Sequence, residues 1–318
     1  MESFKFADLS CGIGGIRIPF EELGGECVFS CDNDRWARIT YRANFGEVPV
    51  GDIREVDAAD IPDFDVLLAG FPCQAFSTAP NFTRANFGCD AGFDNEEKGT
   101  LFFEVARILA EKKPRAFLLE NVKNLVHIND GREFGIIMET LQSLGYFLQW
   151  RVLDSADWGV QHRERVYIAG FRDTLGFDFD GIVPERERFA TCVADILETD
   201  VDNTAYTITD GLWKMMQGRG DRKTDKTRRF GYYPLDPSDT WVPTLTANYC
   251  RDGRTAYILQ EGMNPRRLSP RECANLQGFP QSFVIPDDVS RTQLWKQFGN
   301  SVTVPVIRSI AELLVESM

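Results

Sequence analysis

The sequence lacks the cysteine and histidine spacings that hold metals. It has two histidines and eight scattered cysteines in 318 residues, with no Cys-x-x-Cys pair. Structural zinc sites use closely spaced ligands of these types, so the sequence predicts no metal site. It also shows no signal-like N-terminus and no apolar run near the ~20 residues of a membrane helix. We therefore expect a cytoplasmic protein with free thiols and no membrane partner.

Positive charge is scarce in the chain as a whole. The formal net charge is −13, which argues against binding a polyanion. Segment 213–231 is the exception, with seven basic residues and two acidic ones. A solvated surface loop is the usual explanation of such a run, but a charge asymmetry of this size is also consistent with a phosphate-facing surface. The basic residues are Lys214, Arg219, Arg222, Lys223, Lys226, Arg228 and Arg229.

Short apolar runs alternate with helical patterns over the first 171 residues, which is typical of an α/β protein with a parallel sheet. We predict strands at 4–9, 27–31, 65–69, 115–119, 147–153 and 165–171. Helices are predicted at 16–23, 35–44, 101–109 and 134–144.

The pattern changes after residue 171. Up to about 285 it becomes irregular, with strand-like pieces at 205–208 and 244–247 and a short helix at 211–217, as in a smaller, mostly β domain. An apolar stripe over 306–314 then predicts a C-terminal helix that packs on the first domain. The predicted division is therefore 1–171 plus 286–318, and 172–285.

The first predicted strand ends in a glycine-rich turn, Ser10 to Gly15. Glycines there allow a ligand close to the backbone and to a helix N-terminus, although a glycine cluster alone is weak. Asp32, at the end of the second strand, is placed to accept hydrogen bonds from ribose hydroxyls. Asp52 follows and is expected to face an adenine amino group. Together these positions predict a nucleoside-bearing cofactor.

Cys73 and Glu120 each follow a buried strand. A buried, inert thiol is the usual role of an isolated cysteine, but the flanking Gly70 and Pro72 and the polar run after Cys73 predict an exposed one. Glu120 alone would be explained as a capping or ion-paired carboxylate. Because the carboxyl ends of parallel strands meet at one edge of a sheet, we expect both groups in a single site.

Three donors precede the last predicted strand of the sheet. Gln161, Arg163 and Arg165 share one face by two-residue alternation, which predicts that they point together toward Cys73 and Glu120. An edge strand with solvated charges is the alternative.

These residues belong to a larger ordered set of motifs. The set resembles the DNA (cytosine-5) methyltransferase family, in particular its compact bacterial restriction–modification members, over nearly the whole chain. The motifs are Phe71-Pro72-Cys73-Gln74, Glu120-Asn121-Val122, Gln161-x-Arg163-x-Arg165, Arg266 to Cys273, Leu276-Gln277-Gly278-Phe279-Pro280 and Phe298-Gly299-Asn300-Ser301-Val302.

The resemblance implies a Rossmann-like, mostly parallel methyltransferase sheet, S-adenosyl-L-methionine as cofactor and double-stranded DNA as substrate. Cys73 would be the nucleophile toward carbon 6 of a flipped cytosine, Glu120 would engage ring nitrogen 3, and Arg163 and Arg165 would hold the base and its phosphate. It also implies a possible cognate restriction endonuclease, and a monomer fits chemistry on one base at a time.

Two sets of binding residues follow from the resemblance. The implied cofactor residues are Ser10, Cys11, Gly12, Ile13, Gly14, Gly15, Asp32, Asn33, Asp52, Ile53, Gly70, Pro72, Leu101, Asn300, Ser301 and Val302. The implied DNA contacts are Gln74, Ser77, Asn121, Gln161, Arg228, Arg229, Thr244 and Thr246.

Three residues depart from the family pattern. The family often has an aromatic residue where Ser10 stands, a glutamate where Asp32 stands, and an apolar or aromatic residue where Asn33 stands. A tRNA cytosine-5 methyltransferase is the nearest rival, but its expected Cys-Phe-Thr motif is missing from this sequence. An inactive DNA-binding relative is disfavoured because the catalytic set is complete.

Overall fold

A six-stranded sheet organises the structure, a computed structural model that describes residues 3–71, 101–173, 176–184, 189–227, 231–251 and 256–318. The strand order is β2-β1-β3-β4-β6-β5, with β2, β1, β3 and β4 parallel and β6 antiparallel to both of its neighbours. The strands are β1 (Lys5–Leu9), β2 (Glu26–Cys31), β3 (Val66–Gly70), β4 (Ala116–Val122), β5 (Phe147–Asp154) and β6 (Glu164–Phe171). The predicted mostly parallel α/β fold is confirmed.

Helices follow the strands where the helical periodicity predicts them: α1 (Arg17–Glu22), α2 (Arg35–Phe45), α3 (Leu101–Lys112) and α4 (Arg132–Ser143). Local chemistry explains the ends of α2. The Asp34 carboxylate accepts from the N–H groups of Trp36 (2.9 Å) and Ala37 (3.4 Å), and Gly46 closes the helix at φ 76°. A side-chain N-cap and a left-handed glycine satisfy the backbone groups that a helix leaves unpaired.

Both faces of the large sheet are covered, which suits its near-continuous apolar strands. Leu67 points to the face covered by α3 and α4, and its neighbour Leu68 points to the opposite face. That second face receives α9 (Val304–Glu316), whose Ile307 and Ile310 are fully buried. Burying each such side chain contributes roughly 1.5–3 kcal/mol. The predicted return of the C-terminal helix to the first sheet is confirmed.

The region after residue 171 contains a smaller sheet, β7 (Tyr233–Leu235), β8 (Ala256–Gln260) and β9 (Met263–Arg266). It also contains α5 (Asn203–Tyr206), α6 (Asp210–Arg219) and α7 (Pro270–Leu276), and α8 (Arg291–Asn300) follows. The strand-like interpretation of 205–208 was wrong at 205–206, which belong to α5, whereas Thr207 forms an antiparallel bridge with Arg266 of β9. It was also wrong at 244–247, which is irregular. A shared apolar cluster joins this region to α1, α2 and α8, with Ile18, Ala37, Leu245 and Phe298 among its members.

Within the described residues, one helical stretch, Arg291–Glu316, has the length and apolar composition that a membrane crossing requires. It consists of α8 and α9, which are interrupted at 301–303, and 61% of its apolar window is buried inside the protein. Core helices of a globular protein have these same properties, so the stretch is weak support for a membrane span.

Candidate active site

A cavity of about 510 Å³ opens at the carboxyl ends of β1, β3 and β4, facing the turn between α8 and α9. This volume is typical of small-molecule sites, and the position is where open α/β sheets bind ligands. The predicted cofactor residues that line it are Ser10, Cys11, Gly12, Ile13, Gly15, Asp32, Asn33, Asp52, Ile53, Gly70, Leu101, Asn300, Ser301 and Val302.

The glycine turn shapes one end of the cavity. Ser10 and Gly12 have φ values of 52° and 56°, in the left-handed region that favours glycine. A Cβ on Gly12 would meet nothing within 4 Å, so its backbone faces open space. Gly15 is needed for a different reason, because a Cβ there would lie 2.6 Å from the Ser301 Oγ atom. The glycines thus leave room for a ligand and let the C-terminal turn approach.

Gly14 was predicted to bind the cofactor, and the structure corrects that prediction. It does not line the cavity but lies behind the turn, where a Cβ would be 2.2 Å from the Phe45 ring. Its φ of 84° and this contact give it a packing role.

Asp32 stabilises the glycine turn at the same end of the cavity. Its two carboxylate oxygens accept from the N–H groups of Gly12 and Asp34, each at 2.8 Å. Burial raises the pKa of Asp32, and the two backbone donors oppose that shift. The carboxylate therefore supports the turn as well as lining the cavity.

Asp52 is engaged by a neighbouring side chain. Arg54 Nε lies 2.9 and 3.0 Å from the two carboxylate oxygens of Asp52, and this hydrogen bonding lowers the pKa of Asp52. The group expected to face an adenine amino group lines the cavity as one partner of an ion pair.

The other end of the cavity carries Glu120, Asn121, Arg163 and Arg165. Glu120 is buried at the end of β4, and Arg165 Nε lies 3.0 Å from its Oε1 atom. Burial raises the pKa of the Glu120 carboxyl, and the two arginines oppose the shift. A buried carboxyl of raised pKa beside an arginine is suited to sharing a proton or a hydrogen bond with a substrate nitrogen.

Arg163 is used differently from Arg165. Its guanidinium donates to the backbone carbonyls of Leu245 (2.9 Å), Gly299 (3.2 Å) and Ser301. Burial lowers the pKa of Arg163 to about 9. These contacts connect β6 to the 245 segment and to the turn after α8, so Arg163 is a positioning residue at the cavity wall.

The family model described as C-5 cytosine-specific DNA methylase matches residues 4–316. The chain belongs to this family. It is 46% identical to the type II methyltransferase M.DsaV of Dactylococcopsis salina, over 99% of this chain and 86% of the relative. It is 47% identical to M.NlaX of Neisseria lactamica, over 97% and 95%. In fold it is similar to the Dnmt2 methyltransferase of S. pombe, with a TM-score of 0.79, 19% identity and 99% coverage of both chains.

The protein is thus a DNA (cytosine-5) methyltransferase that uses S-adenosylmethionine, related to enzymes of restriction–modification systems. The cavity fits this cofactor. Its volume suits a ligand of that size, the bare Gly12 backbone faces open space, and Asp32 and Asn33 are polar groups at the same end.

The residues predicted to contact DNA lie in different parts of the structure. Asn121 lines the cavity, and its Nδ2 donates to the Phe71 carbonyl at 2.8 Å. Thr244 and Thr246 line a second, smaller cavity instead. Gln161 was expected beside the arginines, but it is fully buried and bonded to Leu245 N (2.9 Å) and to the Gln277 side chain (3.1 Å). Because its amide is satisfied internally, its predicted DNA contact is corrected to a structural one.

The remaining predicted residues lie outside the described part of the enzyme. They are Pro72, Cys73, Gln74, Ser77, Arg228 and Arg229.

Sequence reasoning missed the α2–α8 side of the cavity. Lys296 Nζ lies 2.6 Å from the Asp34 Oδ2 atom, and both residues line the cavity. Next to them, Thr40 donates to the buried Gln297 side chain at 2.9 Å. The available signal was position in the chain, because Asp34 is an N-cap and Lys296 lies two residues before the Phe298-Gly299-Asn300 motif.

Proposed function

We propose that this methyltransferase modifies carbon 5 of a cytosine flipped out of a short specific duplex sequence, through a covalent adduct on Cys73. The observation that supports this most directly is the buried Glu120–Arg165 pair at the end of the cavity away from the glycine turn. Phe71, two residues before Cys73, lines the same cavity, and Asn121 holds its carbonyl.

The proposed chemistry follows from the weak nucleophilicity of cytosine carbon 5. The Cys73 thiolate adds to carbon 6 while Glu120 hydrogen-bonds or protonates ring nitrogen 3, and electron density moves to carbon 5. S-adenosylmethionine, when bound, would supply an electrophilic methyl group to carbon 5, and its sulfonium sulfur would keep the bonding electrons as a neutral thioether. Loss of the carbon 5 proton to a base then expels the thiolate and restores the ring. Covalent catalysis replaces one difficult step by easier ones.

We assign cofactor binding to the glycine-turn end of the cavity. The side chains of Asp32 and Asn33, the backbone of Gly12 and the turn at Asn300 and Ser301 would hold the nucleoside and amino-acid parts of the cofactor. Extrusion of the cytosine costs a few kcal/mol, so contacts to the flipped base at the Glu120 end must offset that cost.

The chain is divided, in this proposal, into a catalytic and cofactor domain (1–171 plus 286–318) and a target-recognition region (172–285). DNA would lie between them, along the basic segment that includes Arg228 and Arg229. We further propose a monomer that acts in the bacterial cytoplasm and protects DNA from a cognate restriction endonuclease.

Methyl transfer from labelled S-adenosylmethionine to plasmid DNA, followed by bisulfite sequencing, tests this function. We expect label on cytosine in one short sequence context. Cys73→Ser should abolish turnover and leave duplex binding largely intact. Substantial turnover by that variant would overturn the thiolate mechanism, and label spread over unrelated contexts would overturn the specific target.

A further inference from the structure

A second cavity, of about 210 Å³, lies beside the catalytic one. His162, Arg222, Trp241, Thr244 and Thr246 are among the residues that line it. The two cavities share a wall, since Arg163 lines the catalytic cavity and donates to the Leu245 carbonyl of the intervening segment at 2.9 Å. The second cavity is therefore adjacent to the active site and separated from it by this segment.

Trp241 lines this cavity and is 39% exposed. Its ring is stacked on His162, with centroids 5.6 Å apart and an interplanar angle of 25°. Tyr233 supports it from another direction at 5.2 Å. A large aromatic ring that is partly exposed beside an active site is a typical anchor for a partner.

The segment that carries Trp241 is held rigidly. Val242 N donates to the Val160 carbonyl at 2.7 Å, His162 N donates to the Val242 carbonyl at 2.8 Å, and Thr244 Oγ1 donates to the His162 carbonyl at 2.6 Å. The His162 ring is fixed in turn by Asp154, whose Oδ2 lies 2.5 Å from Nδ1. A surface ordered before binding loses little entropy on binding.

The second cavity combines a guanidinium with the partly exposed indole. Arg222 lines it and belongs to the basic segment, while Lys223 is bonded to Asp239 at 2.6 Å. A guanidinium and a partly exposed aromatic ring in one cavity, next to the active site of a DNA methyltransferase, fit a nucleic acid strand, which carries phosphates and planar bases.

We propose that Trp241 packs against the base and deoxyribose of a nucleotide next to the target cytosine, and that His162 positions the indole. This inference rests on the proposed duplex-binding mode and adds a contact to it. The contact is apolar, so it should add affinity without releasing counterions from the phosphates.

Three variants test the contact: Trp241→Ala, Trp241→Phe and the control Trp150→Ala. Trp150 is 43% exposed, packs edge-on against Phe134 and lines neither cavity. The dissociation constant for the target duplex would be measured at several salt concentrations. We expect Trp241→Ala to weaken binding by about 5- to 100-fold, in line with the energy of one aromatic–base contact.

The slope of log Kd against log salt should stay unchanged in Trp241→Ala, and Trp241→Phe should recover most of the affinity. Trp150→Ala should bind like the unmodified enzyme.

Two results would overturn the contact alone: an unchanged Kd in Trp241→Ala, or a weakened Kd accompanied by a lower Tm and weaker S-adenosylmethionine binding, which would indicate a structural role. In both cases the unmodified enzyme still binds and methylates its target. Failure of the unmodified enzyme to bind any duplex would instead overturn the proposed duplex-binding mode together with the contact.

Discussion

The two ends of the active-site cavity use buried carboxylates in different ways. Asp32 is bonded to backbone N–H groups of the glycine turn, whereas Glu120 is paired with the Arg165 side chain. Burial raises the pKa of both. A carboxylate held by backbone donors stabilises the local chain conformation, while one held by a side chain can change its protonation with less rearrangement. We infer that the Asp32 end is shaped for binding and the Glu120 end for chemistry.

Glu120→Gln should produce the largest effect. We expect kcat to fall by roughly 10²- to 10⁴-fold, the usual range for a lost acid–base group, while cofactor affinity stays within about twofold. Because the pKa of Glu120 is raised and its protonated form is the useful one, the rate of the unmodified enzyme should fall as pH rises through that pKa. The pH–rate profile of the variant should not show this fall in rate with rising pH.

The control for Glu120 is Glu104→Gln, which alters a buried carboxylate on α3 that is paired with Arg107 at 2.8 Å outside the cavity. A loss of kcat as large in the control would contradict a specific role for Glu120.

Asp8, on the strand that leads into the glycine turn, is a third buried carboxyl to compare with Asp32 and Glu120. Both of its carboxylate oxygens are buried without a hydrogen-bond partner among the described residues. Burial raises its pKa to about 8. Between about pH 4 and 8 the folded state keeps a proton that the unfolded state loses, so this group makes the free energy of unfolding fall as pH rises.

Asp8→Asn should remove that dependence. The stability of the variant relative to the unmodified protein should improve from pH 5 to pH 8 by up to about 4 kcal/mol, since each pH unit is worth about 1.4 kcal/mol. Denaturant unfolding at both pH values measures this, with the exposed Asp57→Asn as control. An equal difference in stability at both pH values would show that Asp8 is ionised in the folded protein.

Asp32→Asn should affect binding and stability rather than catalysis. The variant weakens the hydrogen bonds that two N–H groups make to a charged oxygen pair, which is expected to lower the free energy of unfolding by about 1.5–3 kcal/mol. The cofactor Kd should rise roughly 10- to 100-fold. At saturating cofactor, kcat should be nearly unchanged. Calorimetric titration and single-turnover kinetics separate the two quantities. A fall in kcat comparable to that of Glu120→Gln would contradict the assignment of binding to the Asp32 end of the cavity and chemistry to the Glu120 end.

Lys296→Met should have the smallest effect. Its ion pair with Asp34 is partly exposed, with the lysine side chain at 45%, and such pairs contribute roughly 0–1 kcal/mol. We expect a change in cofactor Kd of less than about fivefold and little change in Tm. A larger loss in binding without a loss in Tm would indicate that Lys296 contacts the cofactor itself.

Hydrophobic periodicity predicted the large sheet and α1 to α4 because these elements are long, regular and buried. It failed at 205–206 and 244–247, where short apolar pieces fit either structure and tertiary contacts decide. Within the site, the carboxylates predicted at the strand ends, Asp32 for the cofactor and Glu120 for catalysis, both line the cavity. Position in the chain was insufficient for Gln161, whose internal hydrogen bonds involve residues more than 80 positions away.

The sequence by itself determined the order of the elements and the polar residues at the strand ends, because periodicity and turn chemistry are local properties. Only the tertiary structure decided which groups meet. The antiparallel pairing of β4 with β6 brings Arg165 to Glu120, and the approach of the C-terminal turn directs Arg163 to backbone carbonyls. These partners are far apart in the chain, so their contacts depend on sheet order and on packing between layers.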